Sequence, residues 1–168
     1  MSDLTPWQIY DLLNRKKPLW LNGSNLSGAH LRKAELAEAD LEGANLSGAN
    51  LSGANLSFAN LNGANLENAD LSYANLRGCM LDDANLSKAN LYEANLRDAH
   101  LVRANLTEAN FTDALLHQTV LKDANLQNAN LEGAHLRGAN LYQANIDGVN
   151  LTNTQLRGAM KPDGDIYE

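Results

Sequence analysis

The chain is built from consecutive five-residue units that run from Leu19 to Gly158 without insertion or deletion. With the third residue of each unit taken as its centre, 26 of the 28 centres are Leu, and the exceptions are Phe111 and Ile146. Two residues before the centre, Ala occurs in 22 units, and the residue just before the centre is Asn in 17 units and Asp in two. The repeat covers 140 of the 168 residues, so it determines the fold.

A period of five residues excludes both a long helix and a long strand. Leu at every fifth position would wind around all sides of a helix, and it would alternate between the two faces of a strand. The pattern instead indicates a short extended segment followed by a corner, with Leu and Ala pointing inward and Asn outward. Eleven of the twelve glycines occupy the second residue after a centre, where a tight corner requires a positive φ. We therefore expect an all-β coil.

The unit resembles that of the pentapeptide-repeat family, A-(D/N)-L-x-x. The residues that carry the resemblance include Ala-Asn-Leu-Ser-Gly at 44–48 and Ala-Asn-Leu-Ser-Phe at 54–58. The resemblance implies a right-handed quadrilateral β-helix with four units, or 20 residues, per coil, and thus about seven four-sided coils for 28 units. The uninterrupted repeat is similar to that of small cyanobacterial members of the family.

We expect a single domain with three parts: an N-terminal cap at 1–18, the β-helix at 19–158 and a C-terminal tail at 159–168. The segment Thr5-Pro6-Trp7-Gln8 has the pattern of a capping box, and it predicts a short α-helix from about Pro6 to Lys16 that covers the first coil. At the other end, either the tail folds over the last coil or that end pairs with a second copy to form a homodimer, because open strand edges invite pairing.

If four units make a coil, residues 20 apart stack on one another and the sequence can be read as four faces. Faces 1 to 4 start from the centres Leu21, Leu26, Leu31 and Leu36, in that order. The position before each centre of face 2 is always Asn, which predicts a structural ladder of amides.

The position after the centres of face 4 predicts a row of cations, which we call the basic row. Its members are Arg77, Arg97, His117, Arg137 and Arg157. Aligned like charges repel, so stability alone does not favour this column. Two interpretations remain open: the basic row docks an acidic partner or a phosphate, or it is a solvated row balanced by Asp98 and counterions.

A second departure from the repeat is a group of apolar side chains in outward slots, which we call the apolar patch. It comprises Met80, Val102, Leu115 and Val120. Exposed apolar groups that cluster can mark a contact site. Alternatively, these residues fill space near Cys79 and Thr119, which replace inward Ala.

No catalytic constellation is visible, so we expect neither an enzyme nor a bound cofactor. The single Cys79 excludes a multi-thiolate metal site, and it lies at an inward position where a thiol packs like a larger Ala. Four histidines fall in separate columns, and only His117 and His135 can approach each other across a coil. No glycine-rich phosphate loop precedes a helix.

The net charge of −7 argues against direct binding of nucleic acid or of a membrane surface, and no apolar run approaches the roughly 20 residues of a membrane span. We therefore expect a cytoplasmic, non-enzymatic scaffold that binds a protein partner through a flat face of the rod. One alternative comes from the resemblance, since some members of the family mimic DNA and bind type II topoisomerases. Another is a purely structural role.

Overall fold

The structure is a computed structural model that describes Thr5, Asp11 and residues 18–168. The N-terminal helix expected from about Pro6 to Lys16 lies, except for Asp11, outside the described residues and stays a prediction. Within residues 18–168 there is neither a continuous helix nor a strand of several residues. Each side of the coil instead contributes one bridging residue, at every fifth position from Trp20 to Met160. No helix among the described residues is long and apolar enough to cross a membrane.

The coils stack in a fixed register of 20 residues. Every parallel bridge joins a residue to the one 20 positions later, as in Asn45 with Asn65. Backbone hydrogen bonds fix this register from both sides: the amide of Leu46 donates to the carbonyl of Asn65 at 2.7 Å, and the amide of Asn65 donates to the carbonyl of Ala44 at 2.9 Å. Four bridging positions therefore make one coil, and residues 20 apart stack as the face assignment assumes.

The core is a column of Leu layers lined by Ala. The centres from Leu31 to Leu136 are at most 2% exposed. Cys79 and Thr119 replace inward Ala and are fully buried. Their side chains still find acceptors, because the Cys79 Sγ donates to the carbonyl of Leu56 at 2.7 Å and the Thr119 Oγ1 donates to that of Leu96 at 2.8 Å. A buried donor that is satisfied in this way avoids the penalty of desolvation.

The corners have a left-handed backbone at the second residue after each centre. All 28 units show a positive φ there, between 52° and 77°, although Gly occupies only eleven of these positions. In each corner the amide of the third residue after a centre donates to the carbonyl of that centre, as in Ala49 to Leu46 at 3.0 Å. This geometry is that of a type II turn. The other 17 positions hold polar, charged or aromatic residues, and none holds Val, Ile or Thr.

This corner geometry predicts that the shape of a side chain at position 48 decides its cost. Gly48 has φ of +63° and no atom within 4 Å of an added Cβ, so only backbone strain opposes a substitution. We expect Gly48→Asn to cost less than about 1 kcal/mol and Gly48→Val to cost about 2 kcal/mol in the free energy of unfolding, because β-branching is least compatible with this conformation. Urea denaturation measures both values. Equal costs for the two variants would contradict the turn assignment.

The C-terminal tail folds back on the last coil. Met160 pairs with Ile166 in an antiparallel bridge. The amide of Tyr167 donates to the carbonyl of Ala159 at 2.9 Å, which continues the pairing. The tail therefore pairs with the last coil on the side of face 1. Three centres beneath the remaining edge stay partly exposed: Ile146, Leu151 and Leu156. Pairing of this edge with a second copy stays a prediction.

Candidate functional site

The Asn column of face 2 is a structural ladder, as predicted. The Asn105 Nδ2 donates to the Asn85 Oδ1 at 3.0 Å, and the Asn85 Nδ2 donates to the Asn65 Oδ1 at 3.1 Å. The Asn85 Oδ1 also accepts the backbone amide of Ser87 at 3.2 Å. All seven Asn residues of this column cap a corner, and four of them also donate to the Asn of the preceding coil, which explains why the repeat favours Asn at this position.

In the second half of the rod, Asn before the centre is replaced on two faces only. In the second half of the rod, from Met80 to Gln155, faces 2 and 3 keep Asn at every position before the centre. All six departures in this region lie on faces 1 and 4: Met80, His100 and Val120 on face 1, and Leu115, His135 and Gln155 on face 4. An apolar residue there forgoes hydrogen bonds worth about 1 kcal/mol each. Faces 1 and 4 thus depart from the pattern that stability favours.

The basic row is aligned along the axis of the rod on face 4. Backbone hydrogen bonds beside its members hold successive coils in register. The amide of Asp98, next to Arg97, donates to the carbonyl of His117, and the amide of Gln118, next to His117, donates to the carbonyl of Arg137, both at 3.1 Å. Arg97 and His117 are half-buried, whereas Arg137 is exposed. The exposed members also include Arg77 and Arg157 at the two ends.

Most of the positive charge in the basic row is not neutralised within the rod. Arg77 pairs with Asp98 through an Nε–Oδ2 contact of 3.4 Å. Among the residues that the structure describes, no ion pair involves Arg97, Arg137 or Arg157. On face 1, by contrast, Arg103 forms a bidentate ion pair with Asp83. Its Nη2 donates to Oδ2 at 2.6 Å and its Nε donates to Oδ1 at 2.7 Å. The basic row therefore retains unpaired cations in a chain whose net charge is −7.

Two histidines meet beside these arginines. The imidazole centroids of His117 and His135 are 5.7 Å apart at an angle of 62°. The Nδ1 of His117 is buried and has no hydrogen-bond partner. Burial lowers the pKa of His117 below its ordinary value of 6.5, and the charges of Arg97, His135 and Arg137 lower it further. The His117 imidazole is therefore mostly neutral at pH 7.

The apolar patch is divided by the corner between faces 4 and 1. Met80 is 43% exposed and bridges to His100, which in turn bridges to Val120 on face 1. Leu115 is half-buried on face 4, and Val102 is half-buried on face 1. Cys79 and Thr119, which are fully buried, directly precede Met80 and Val120, so local packing around them stays the second interpretation of these apolar residues.

Phe58 extends this apolar surface and was not singled out from the sequence. It is 58% exposed at a corner of face 4, with a φ of 59°. Its ring lies over Gly78, where an added Cβ would come within 2.6 Å of the ring carbons. The sequence carries a signal for it, an aromatic residue in a corner slot of face 4 that otherwise holds Gly or a polar residue.

Neither a reactive thiol nor a metal-binding cluster is found among the described residues. Burial raises the pKa of the Cys79 thiol to about 12, so it does not form a thiolate at neutral pH. No group of three His, Cys, Asp or Glu side chains in the described part of the chain is arranged to hold a metal ion. The basic row and the apolar patch lie on neighbouring faces of the rod, 4 and 1, on either side of one corner.

This architecture defines a protein of the repeat type that presents flat surfaces. The family model described as pentapeptide repeats matches residues 20–48 and 49–87, and the model described as a pentapeptide repeat region matches residues 74–160. The chain therefore belongs to the pentapeptide repeat family, whose fold is the right-handed β-helix.

Similar solved structures include two cyanobacterial members. HetL of Nostoc sp. strain PCC 7120, a protein involved in the regulation of heterocyst differentiation, is 36% identical, with 88% of this chain and 81% of HetL covered and a TM-score of 0.62. A pentapeptide repeat protein of Cyanothece 51142 is 39% identical over 56% of this chain and 64% of its own, with a TM-score of 0.53.

QnrB1, a plasmid-mediated fluoroquinolone resistance protein, shares the fold at 22% identity, with 83% of this chain and 72% of QnrB1 covered and a TM-score of 0.54. No curated protein matches the chain significantly.

Proposed function

We propose that the protein is a non-enzymatic scaffold that binds an acidic protein partner through the basic row of face 4. The observation that carries this proposal is that Arg97, Arg137 and Arg157 lie in one column and form no ion pair with any carboxylate of the described residues, on an otherwise acidic rod. Like charges aligned in this way repel, and a partner that supplies carboxylates or phosphates removes the repulsion.

The interrupted ladder supports the same surface. Faces 2 and 3 keep the stabilising Asn throughout the second half of the rod, while faces 1 and 4 replace it with apolar residues or His. Met80 and Val120 then lie beside the basic row across one corner. A contact surface with an apolar part and a charged part is typical of protein interfaces, in which the apolar part is desolvated and the charges give specificity.

Restoring the repeat on face 4 is expected to raise stability and weaken binding. In Leu115→Asn, the new amide can reach Asn95 below it and cap its own corner. We expect a gain of about 1 kcal/mol in the free energy of unfolding, measured by urea denaturation, with a loss of partner affinity. Leu115→Ala, which removes the side chain without restoring the ladder, is the matched control and should lose both stability and affinity. Unchanged binding in Leu115→Asn would remove this residue from the interface.

Affinity capture from the host organism tests the proposed function itself. Tagged protein with an intact basic row should retain a specific acidic protein, and neutralisation of the row with Gln should release it. A partner that is retained equally by both forms would contradict docking on face 4.

Mimicry of DNA, the main alternative, is not favoured by the distribution of charge. Face 4 bears four arginines against Glu35, Glu38 and Asp98, which gives a net charge of +1 on one side of the rod. A mimic of duplex DNA requires a continuous acidic surface. A DNA gyrase supercoiling assay separates the two functions, since inhibition by the purified protein would support mimicry.

A further inference from the structure

We propose that Arg97, His117 and Arg137 form a binding site for a tetrahedral oxyanion, and that its occupant is the phosphoryl group of a phosphorylated side chain on the partner. This inference rests on the proposed function, because it names the group that the partner presents to the basic row. We call the three residues the oxyanion site.

The three residues of the oxyanion site lie in successive coils. The hydrogen bonds from Asp98 to His117 and from Gln118 to Arg137 hold their backbones in adjacent positions. Stacked strands are about 4.8 Å apart, so the two arginines flank the imidazole from either side. Guanidinium groups on long side chains can converge from both sides on an anion that lies over the imidazole, and Arg is well suited to binding phosphoryl oxygens.

The described charged groups that act on the His117 imidazole are all cationic, and no described carboxylate is directed toward it. Arg97, Arg137 and His135 all act on the His117 imidazole. The carboxylates at the borders of face 4 are directed elsewhere: Asp98 binds Arg77, the Asp113 carboxylate lies over the position of Gly133, and Glu93 interacts with the Tyr92 hydroxyl.

The number of cations favours a phosphoryl group over a carboxylate. A phosphorylated side chain carries about −1.5 to −2 charges at pH 7 and three acceptor oxygens, which matches two arginines and a histidine that gains a proton. The oxyanion site is open on one side because it lies on a flat face. Free phosphate would therefore be held from one side only, whereas a phosphorylated segment also reaches Arg77 and Arg157 at the ends of the basic row.

Binding of an oxyanion is coupled to protonation of His117. The empty site holds the pKa of His117 below 6.5, so the imidazole is neutral at pH 7.5. A bound dianion reverses the local field and favours the imidazolium. Affinity must therefore rise as the pH falls, because the complex binds a proton that the free protein does not bind at pH 7.5.

Sulfate is the probe that isolates this coupling, since it remains a dianion from pH 5.5 to pH 7.5. Titration of sulfate into the full chain at constant ionic strength, followed by the imidazole proton signals in NMR spectra, should shift His117 and His135 but not His30 or His100. We expect sulfate to bind several-fold more tightly at pH 5.5 than at pH 7.5, since a pKa shift of about one unit sets an upper limit of about tenfold on this change. Equal affinity at both pH values, or signals that do not move, would overturn the proposal.

Variants separate a specific site from general attraction to positive charge. Arg97→Gln with Arg137→Gln should weaken sulfate binding at both pH values, and His117→Gln should remove the pH dependence while binding at pH 7.5 persists. Arg103→Gln on face 1 is the matched control, because Arg103 is already paired with Asp83. If Arg103→Gln weakens sulfate binding as much as the paired substitutions, no oxyanion site exists.

Peptides identify the source of the anion. A phosphoserine peptide with flanking Glu residues should bind at least about tenfold more tightly than inorganic phosphate and than the same peptide without the phosphate. Inorganic phosphate binding as tightly as the peptide would place the source in solution and overturn the assignment to a partner side chain. Sulfate binding without capture of any acidic protein would contradict the proposed function alone, and capture that is insensitive to pH and to sulfate would contradict the oxyanion site alone.

Discussion

Reversing two charges of the basic row should abolish capture of the partner. In the double variant Arg97→Glu and Arg137→Glu, each lost charge-assisted contact is worth about 1.5 to 3 kcal/mol, and the new carboxylates repel an acidic partner. We expect affinity to fall by at least about a hundredfold, since 1.4 kcal/mol corresponds to a factor of ten. Affinity capture followed by biosensor titration of the captured protein measures this loss.

The control for this experiment must change the net charge equally without touching face 4. Arg32→Glu with Lys88→Glu meets that requirement, because both cations are exposed and lie on faces 3 and 2. This variant should retain the partner at moderate ionic strength. Equal loss of binding in the two double variants would mean that net charge, and not the basic row, attracts the partner.

Truncation of the one aromatic centre should have the largest effect on stability. Phe111 is fully buried at a position where 26 of 28 units hold Leu. Phe111→Ala leaves a cavity between layers that are held at a fixed spacing by backbone hydrogen bonds, so the coil cannot collapse around it. We expect a loss of about 3 to 5 kcal/mol in the free energy of unfolding, measured by urea denaturation.

Phe111→Leu is the informative companion to that variant. Leu is the residue that the repeat places at nearly every other centre, so this substitution should cost less than about 1.5 kcal/mol. If Phe111→Leu is as damaging as Phe111→Ala, the core around this layer has adapted to the aromatic ring, and the centres are not interchangeable.

The fold could be predicted because the repeat constrains it at every unit. Alternation of inward Leu and Ala with outward Asn follows from a period of two within each short segment, and the buried centres confirm it. The register of 20 residues could not be obtained from the period alone, which indicates a coil but not the number of its sides. The left-handed corners were predicted at Gly48 and similar glycines, yet positions such as Lys88 and Asp98 adopt the same conformation because the turn imposes it.

The alignment of the basic row could be predicted from the sequence, but the side-chain contacts around it could not. The stacking rule placed Arg97, His117 and Arg137 in one row, and it allowed His117 and His135 to approach each other. The sequence did not show that Asp98 pairs with Arg77, because a side chain at a corner can turn toward either neighbouring coil. It also missed Phe58, whose ring lies over Gly78 only because the next coil offers no side chain there.

Chemical-shift mapping of the complex tests the central claim most directly. Amide signals of the labelled chain should change on addition of the captured partner along face 4 between Arg77 and Arg157 and across the adjoining corner at Met80 and Val120. Signals of the Asn ladder on face 2, such as those of Asn85 and Asn105, should remain in place. Changes confined to faces 2 and 3 would contradict the account and leave the basic row a solvated column.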